Sequence, residues 1–177
     1  MGRPAGGAAG IAAALMGAVA LAHPASARAE AAPAAPAPAA PTFVRITPSQ
    51  LHWIEIPGGL GARFAVVLGD PGKPGPYVIR ASFPPHVMDT PHIHPNDRTV
   101  TVLSGTWYTG TGPVFDLSKA VPLGPGSVMF HPGGAVHWDG SGGDTPVVVQ
   151  ITGTGPAPTL PIDPKAAAWV RVGTGTP

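Results

Sequence analysis

Two histidines separated by one residue are the first groups in this sequence whose spacing suggests chemistry. They are His92 and His94, and a proline stands on either side of the pair, at Pro91 and Pro95. Side chains in a β-strand alternate between its two faces, so both imidazoles would project from the same face. Two imidazole nitrogens on one face can share a metal ion at about 2.1 Å from each nitrogen. The pair therefore predicts half of a metal site, and further ligands must come from elsewhere in the chain.

A second stretch supplies a third histidine. Residues 126–137 read as a strand over Ser127–His131, a Pro-Gly-Gly turn and a returning segment that carries His137. If this hairpin lies beside the strand of His92 and His94, three imidazole nitrogens face one point. A metal held by three histidines keeps coordination positions open for water or a substrate.

The remaining sequence predicts an all-β domain that positions these groups. The chain has 177 residues, of which 25 are glycine and 25 are proline, and only 11% are charged. Turn residues separate short runs with strand character, among them Arg63–Leu68, Arg98–Leu103 and Pro146–Thr152. Short strands at this spacing are typical of a β-sandwich or β-barrel.

The two histidine stretches resemble the two sequence motifs of the cupin family. The positions that match are His92, His94 and Gly105 in the first motif and Gly126, Pro132, Gly134 and His137 in the second. The resemblance implies a cupin-type small β-barrel, also described as a double-stranded β-helix or jelly roll. It also implies a divalent metal inside the barrel, bound by the first-motif histidines and glutamate and by the second-motif histidine. It does not specify a reaction, since one fold hosts many functions.

Three positions depart from the family pattern. His86 and Ser141 replace a glycine and an asparagine, and Arg98 replaces the glutamate of the first motif. Arg98 is the most consequential, because a guanidinium stays protonated and has no lone pair to offer a metal.

The arginine leaves three hypotheses for the site. The first is a three-histidine metal site with open positions, which the ligand types favour. The second is a fourth ligand supplied by a neighbouring carboxylate, either Asp97 or, less favoured, Asp89. The third is a site without metal, in which Arg98 binds a small anion.

The metal and the reaction stay open at this level. Iron would indicate a dioxygenase, zinc a hydrolase, and manganese or nickel an isomerase or decarboxylase. The expected partner is a small organic ligand or substrate, and the alternative is a non-catalytic module that binds an anion or a metal. The resemblance adds an expected homodimer that associates through a sheet edge.

Several other polar residues receive structural interpretations. His131 and His86 are interpreted as residues around the site or at the surface, not as ligands, and His52 as structural. Asp139 and Asp144 stand among glycine and serine residues and are interpreted as turn formers.

The N-terminus has the pattern of a secretory signal. Residues 1–29 contain Arg3, an apolar stretch over residues 8–22 and small residues at 25, 27 and 29. That stretch is shorter than the roughly 20 residues that cross a bilayer, so no membrane attachment is expected after cleavage. Residues 30–41 form an Ala/Pro-rich linker, and the cupin domain is assigned to residues 42–177. The predicted location is periplasmic or secreted.

Charge and cysteine content exclude other classes. The net charge is +1, and removal of residues 1–29 leaves eight Lys and Arg residues against nine Asp and Glu residues. A nearly neutral domain is not expected to bind nucleic acid or an anionic membrane. The chain has no cysteine, which excludes disulfides, thiolate ligands and cysteine nucleophiles.

Overall fold

The structure is a computed structural model that describes residues 42–173. The predicted signal peptide (1–29) and linker (30–41) therefore lie outside the described residues, as do residues 174–177 of the predicted domain. Within the described part, no helix is long and apolar enough to cross a membrane.

The described residues form short β-strands and two single-turn 3₁₀ helices, Pro48–Gln50 and Leu117–Lys119. The strands are β1 (Ile54–Glu55), β2 (Arg63–Leu68), β3 (Gly75–Phe83), β4 (Val87–Asp89), β5 (His92–Ile93), β6 (Arg98–Ser104), β7 (Trp107–Thr111), β8 (Val121–Leu123), β9 (Val128–His131), β10 (His137–Ser141), β11 (Val147–Gly155), β12 (Leu160–Pro161) and β13 (Trp169–Arg171). The all-β class predicted from the turn-rich composition is confirmed.

The strands build two antiparallel sheets. The first has the order β1-β2-β3-β11-β6-β9. The second has the order β12-β5-β10-β4-β13, and β7 joins it by pairing with both β10 and β8. The strands β5 and β10 of the second sheet, and β6 and β9 of the first, carry the histidine stretches.

The period of two along each strand decides which side chains enter the interior. Val147 and Val149 of β11 are buried, and so are Val100 and Val102 of β6. In each strand a less buried residue separates the two valines. Arg98 has the same parity as these two β6 valines, so its side chain lies on the inner face. It is only 8% exposed. The fold thus places a guanidinium inside an apolar sheet face, where it needs polar partners.

Strand β10 is buried on both of its faces. Its inward positions carry His137 and Asp139. On the other face, the Trp138 ring packs 4.8 Å from the ring of Phe115. The residue paired with Trp138 on β7 is Gly110, where a Cβ atom would overlap the indole. The absent side chain at Gly110 lets the indole lie flat against β7, which holds β10 in place behind the site.

Candidate metal centre

Strand register brings the polar residues together in two pairs. Across β5 and β10, His92 lies opposite His137. Across β6 and β9, Arg98 lies opposite His131. The pairs belong to different sheets, and the Arg98 guanidinium reaches His137 across the interior. The site is therefore built by two sheets that face each other.

The three histidines predicted to converge do so. One ring nitrogen from each of His92, His94 and His137 lies within 4.8 Å of the other two, and all three residues are buried. The ring centroids of His92 and His94 are 5.0 Å apart, and those of His92 and His137 are 4.4 Å apart.

Backbone carbonyls fix how these imidazoles point. Each Nδ1 lies within hydrogen-bonding distance of a carbonyl oxygen, which can only accept, so each Nδ1 carries the hydrogen. The Nε2 atom of each neutral ring is left with the lone pair, as in histidines whose second nitrogen orients them for a metal. The acceptors are the carbonyl oxygens of Thr90 for His92 (2.8 Å), Pro158 for His94 (3.0 Å) and Ala135 for His137 (2.9 Å).

Arg98 engages one of the three lone pairs. Its Nη2 donates to His137 Nε2 at 2.9 Å, and its Nε donates to His131 Nδ1 at 3.2 Å. By contrast, His94 Nε2 is buried without a hydrogen-bond partner. No carboxylate of the described chain lies within ion-pair distance of the guanidinium. At the position where the cupin motif has a glutamate, this chain therefore has an arginine that connects two histidines by hydrogen bonds.

Two carboxylates stand near His92, that of the half-buried Asp89 and that of the buried Asp139. Asp89 Oδ2 lies 3.8 Å from His92 Nε2, and Asp89 Oδ1 accepts the backbone N–H of Asp139 at 2.6 Å. Asp139 Oδ1 accepts from Trp107 Nε1 at 2.9 Å, while Asp139 Oδ2 is buried without a partner. The interpretation of Asp139 as a turn former is wrong, because the residue lies in β10. Its separation of two from His137, at strand spacing, is the signal that could have found it.

Of the other polar residues named from the sequence, His131 lies beside the site and Asp97 lies away from it. His131 is buried, its ring centroid lies 4.1 Å from that of His137, and it stacks on Trp107 at 5.8 Å. The exposed Asp97 turns away from the site, and its Oδ1 accepts the backbone N–H of Gly133 at 2.7 Å.

His86 and His52 do not join the cluster either. His86 Nε2 lies 2.9 Å from a carboxylate oxygen of the exposed Asp144. Its φ of 60° is in the left-handed region, which gives a physical reason for the family glycine at this position. His52 is exposed.

Burial keeps the histidines neutral. It lowers the pKa of His92 to about 4 and the pKa of His94 and His131 to about 2. The pKa of His137 is also lowered, again mainly by burial. Near neutral pH no proton therefore has to leave these rings before a lone pair can bind a metal. The pKa of Asp89 is raised well above its usual value by burial and by the charge of Asp139.

A cavity of about 280 Å³ opens onto one side of this cluster. Its polar lining residues are Asp89, His92, His94, Arg98, Asp139 and Thr159. The other lining side chains are mainly apolar and include Ile56, Phe64, Ile79, Phe83, Ile151 and Trp169. A cavity of this size and character suits a small organic molecule. Neither His131 nor His137 lines it, and Arg98 contacts both.

The donor set fits a divalent transition metal in part. The lone pairs of His92 and His94 face the cavity with no strong competitor, and carboxylate oxygens lie nearby. The lone pair of His137 becomes available only if Arg98 Nη2 leaves it. Imidazole and carboxylate together suit zinc, iron, manganese or nickel.

Comparisons with known proteins identify the fold. No family model matches the sequence, and no curated protein does. Among solved structures, the polyketide cyclase RemF from Streptomyces resistomycificus aligns with a TM-score of 0.60 and 17% identity, over 72% of this chain and 90% of that one. KdgF from Halomonas sp. aligns with a TM-score of 0.51 and 16% identity, over 64% and 96%. An RmlC-like cupin from Shewanella frigidimarina aligns with a TM-score of 0.50 and 17% identity, over 64% and 91%. The barrel is therefore a cupin-type barrel.

Proposed function

We propose that the barrel binds a divalent metal at His92 and His94, completed by a group from β10, and uses it to act on a small organic molecule. The observation that carries this proposal is the shared orientation of the imidazoles. Each ring donates a hydrogen bond from Nδ1 to a backbone carbonyl, so the lone pair on each Nε2 points inward. A buried histidine with a purely structural role needs no such convergence.

The residues of the cavity define what the site can do with a bound molecule. A metal there supplies a Lewis acid that polarises an oxygen or activates water. Arg98 lines the cavity and has N–H groups beyond its bonds to His131 and His137, so it can receive an anionic group of the ligand. The apolar wall excludes water from the rest of the ligand. This arrangement suits either an enzyme or a binding protein.

Metal titration of the purified, chelator-treated protein tests the proposal. Zinc, iron(II), manganese and nickel are offered in turn, and bound metal is measured by mass spectrometry after gel filtration. We expect about one equivalent to bind and the His92→Ala/His94→Ala variant to lose at least about 100-fold in affinity, since outer-shell changes alone cost 10- to 100-fold.

The matched control is His52→Ala, which makes the same chemical change at an exposed position and should bind like the wild type. A wild-type protein that stays empty with every metal would contradict the proposal.

The second candidate function is anion binding without metal, and the unpaired guanidinium favours it. Arg98 is buried, has no carboxylate at ion-pair distance among the described residues and faces the cavity. A buried charge of this kind is costly unless a partner arrives. In this case small carboxylates would bind to the metal-free protein, and Arg98→Gln would abolish their binding.

We also propose that the protein is exported through its N-terminal signal. The support is the sequence pattern of residues 1–29, which predicts cleavage near Glu30. Expression of the full chain in a bacterium should therefore place a shortened protein in the periplasm or medium, with its first residue near position 30 by N-terminal sequencing. A full-length cytosolic product would contradict this prediction. Self-association through a sheet edge remains a prediction.

A further inference from the structure

The ligand that β10 gives to the proposed metal can be assigned from the hydrogen bonds of that strand. Two inward residues of this strand compete for the role, His137 and Asp139. We infer that the carboxylates of Asp139 and Asp89 take over the ligand role that position 98 has lost, so that the metal binds His92, Asp89 and Asp139 while His137 stays with Arg98. The inference rests on the proposed function and changes its ligand set, since it keeps His92 and puts Asp89 and Asp139 in place of His94 and His137.

The first argument is the state of the two candidate groups on β10. His137 has both ring nitrogens satisfied, since Nδ1 donates to Ala135 and Nε2 accepts from Arg98. Asp139 is 4% exposed, and its Oδ2 has no hydrogen-bond partner. A buried carboxylate oxygen left without a donor or a cation is costly, and a bound metal would remove that cost.

The second argument is geometry. One carboxylate oxygen from each of Asp89 and Asp139 and one ring nitrogen of His92 lie within 4.8 Å of one another. All three residues line the cavity, as does His94, whose Nε2 is buried and unpartnered. His137 does not line it. A metal that enters through the cavity therefore meets the two carboxylates and the His92–His94 pair before it can reach His137.

The third argument is charge. Two carboxyl groups meet in this wall, and Arg98, the cation nearest to them, forms no ion pair with either. Arg98 instead gives two of its N–H groups to histidines. A dication between the carboxylates would compensate them and leave the Arg98 bonds in place. The cupin barrel would then keep a carboxylate-containing metal site with the carboxylate moved to the opposite sheet.

Matched ligand variants test the assignment by isothermal titration with Mn²⁺ and Zn²⁺. Asp139→Asn is nearly isosteric and keeps an oxygen to accept from Trp107, and we expect it to weaken binding by about 100-fold. His137→Gln keeps an acceptor for Arg98, and we expect a much smaller change than in Asp139→Asn, because in this assignment the substitution removes no ligand and preserves the hydrogen bond with Arg98. Asp97→Asn, an exposed carboxylate, should bind like the wild type.

The outcomes separate this inference from the proposed function. Loss of binding in His137→Gln with retention in Asp139→Asn would overturn the inference and leave a metal site with three histidines. A wild type that binds neither ion would overturn both. Near-UV circular dichroism checks the fold of each variant. If Asp139→Asn does not fold, Asp89→Asn replaces it, with an expected loss of at least about tenfold, and full retention there would overturn the inference.

Discussion

Replacing Arg98 with glutamate is expected to tighten the binding of a divalent metal by about 1000-fold. The substitution removes a buried positive charge that borders the cavity and adds the carboxylate that the family pattern has at this position. At about 8 Å and an effective dielectric constant near 20, one unit charge changes the energy of a dication by about 4 kcal/mol. Since 1.4 kcal/mol is tenfold in affinity, about 1000-fold follows. The substitution also releases the lone pair of His137.

Competition with a chelator of known affinity measures this effect. Arg98→Met removes the charge without adding a ligand, so it should give an intermediate gain of about 30-fold, less than the charge alone predicts because the emptied space readmits water and raises the local dielectric constant. The wild-type affinity in both variants would show that Arg98 is too far from the bound metal to affect it. A gain in Arg98→Met equal to that in Arg98→Glu would show that removal of the guanidinium, not the added carboxylate, sets the affinity.

Acidification is expected to unfold the metal-free protein over a narrow range below pH 6.5. In the folded chain His92 takes up a proton only near pH 4, and His94 and His131 only near pH 2, because burial lowers each pKa. The unfolded chain takes up those protons near pH 6.5. Between these values the unfolded state holds more protons, so the free energy of unfolding falls as the pH falls. Each extra proton contributes about 1.4 kcal/mol per pH unit.

One group opposes this trend. The raised pKa of Asp89 means that the folded state keeps a proton that the unfolded chain releases, so this group lowers the slope. The three histidines with pKa values near 4 and 2 set the slope at about 4 kcal/mol per pH unit, and the lowered pKa of His137 increases it. Urea unfolding at pH 7, 6 and 5 measures the slope. His94→Gln should reduce it by about one proton, whereas His52→Gln, at an exposed site, should not change it. A stability independent of pH would contradict the assignment of neutral, buried rings.

Much of the fold follows from local sequence patterns. Strand β2 has the bounds predicted from the run Arg63–Leu68, since turn residues flank an uninterrupted run with strand character. The convergence of His92, His94 and His137 follows from strand spacing and from the turn that returns His137 beside β5. These predictions succeed because each depends on neighbours along one or two strands.

The missed carboxylate depends on a contact between distant strands. Asp139 precedes Gly140 and a glycine-rich segment, which reads as a turn, yet β10 continues through it to Ser141. The structure gives the reason for the glycine: a Cβ atom at Gly140 would overlap the backbone of Val87 and Met88 on β4. Glycine within a strand often marks such a close approach, but its sequence context does not reveal the partner strand. The choice between Asp97 and Asp89 likewise depends on side-chain directions, which neither the irregular segment of Asp97 nor the short strand of Asp89 reveals from sequence.

The hydrogen bond from Trp107 to Asp139 gives the site an optical signal of its own. The indole of Trp107 is 1% exposed, stacks on His131 and donates to the carboxylate that we assign to the metal. Its emission therefore reports on the ligation of Asp139 from within the barrel. A paramagnetic ion held by that carboxylate would lie one hydrogen bond away from the fluorophore and quench it. The occupancy of the site can thus be followed in the unlabelled protein, during purification and in real time.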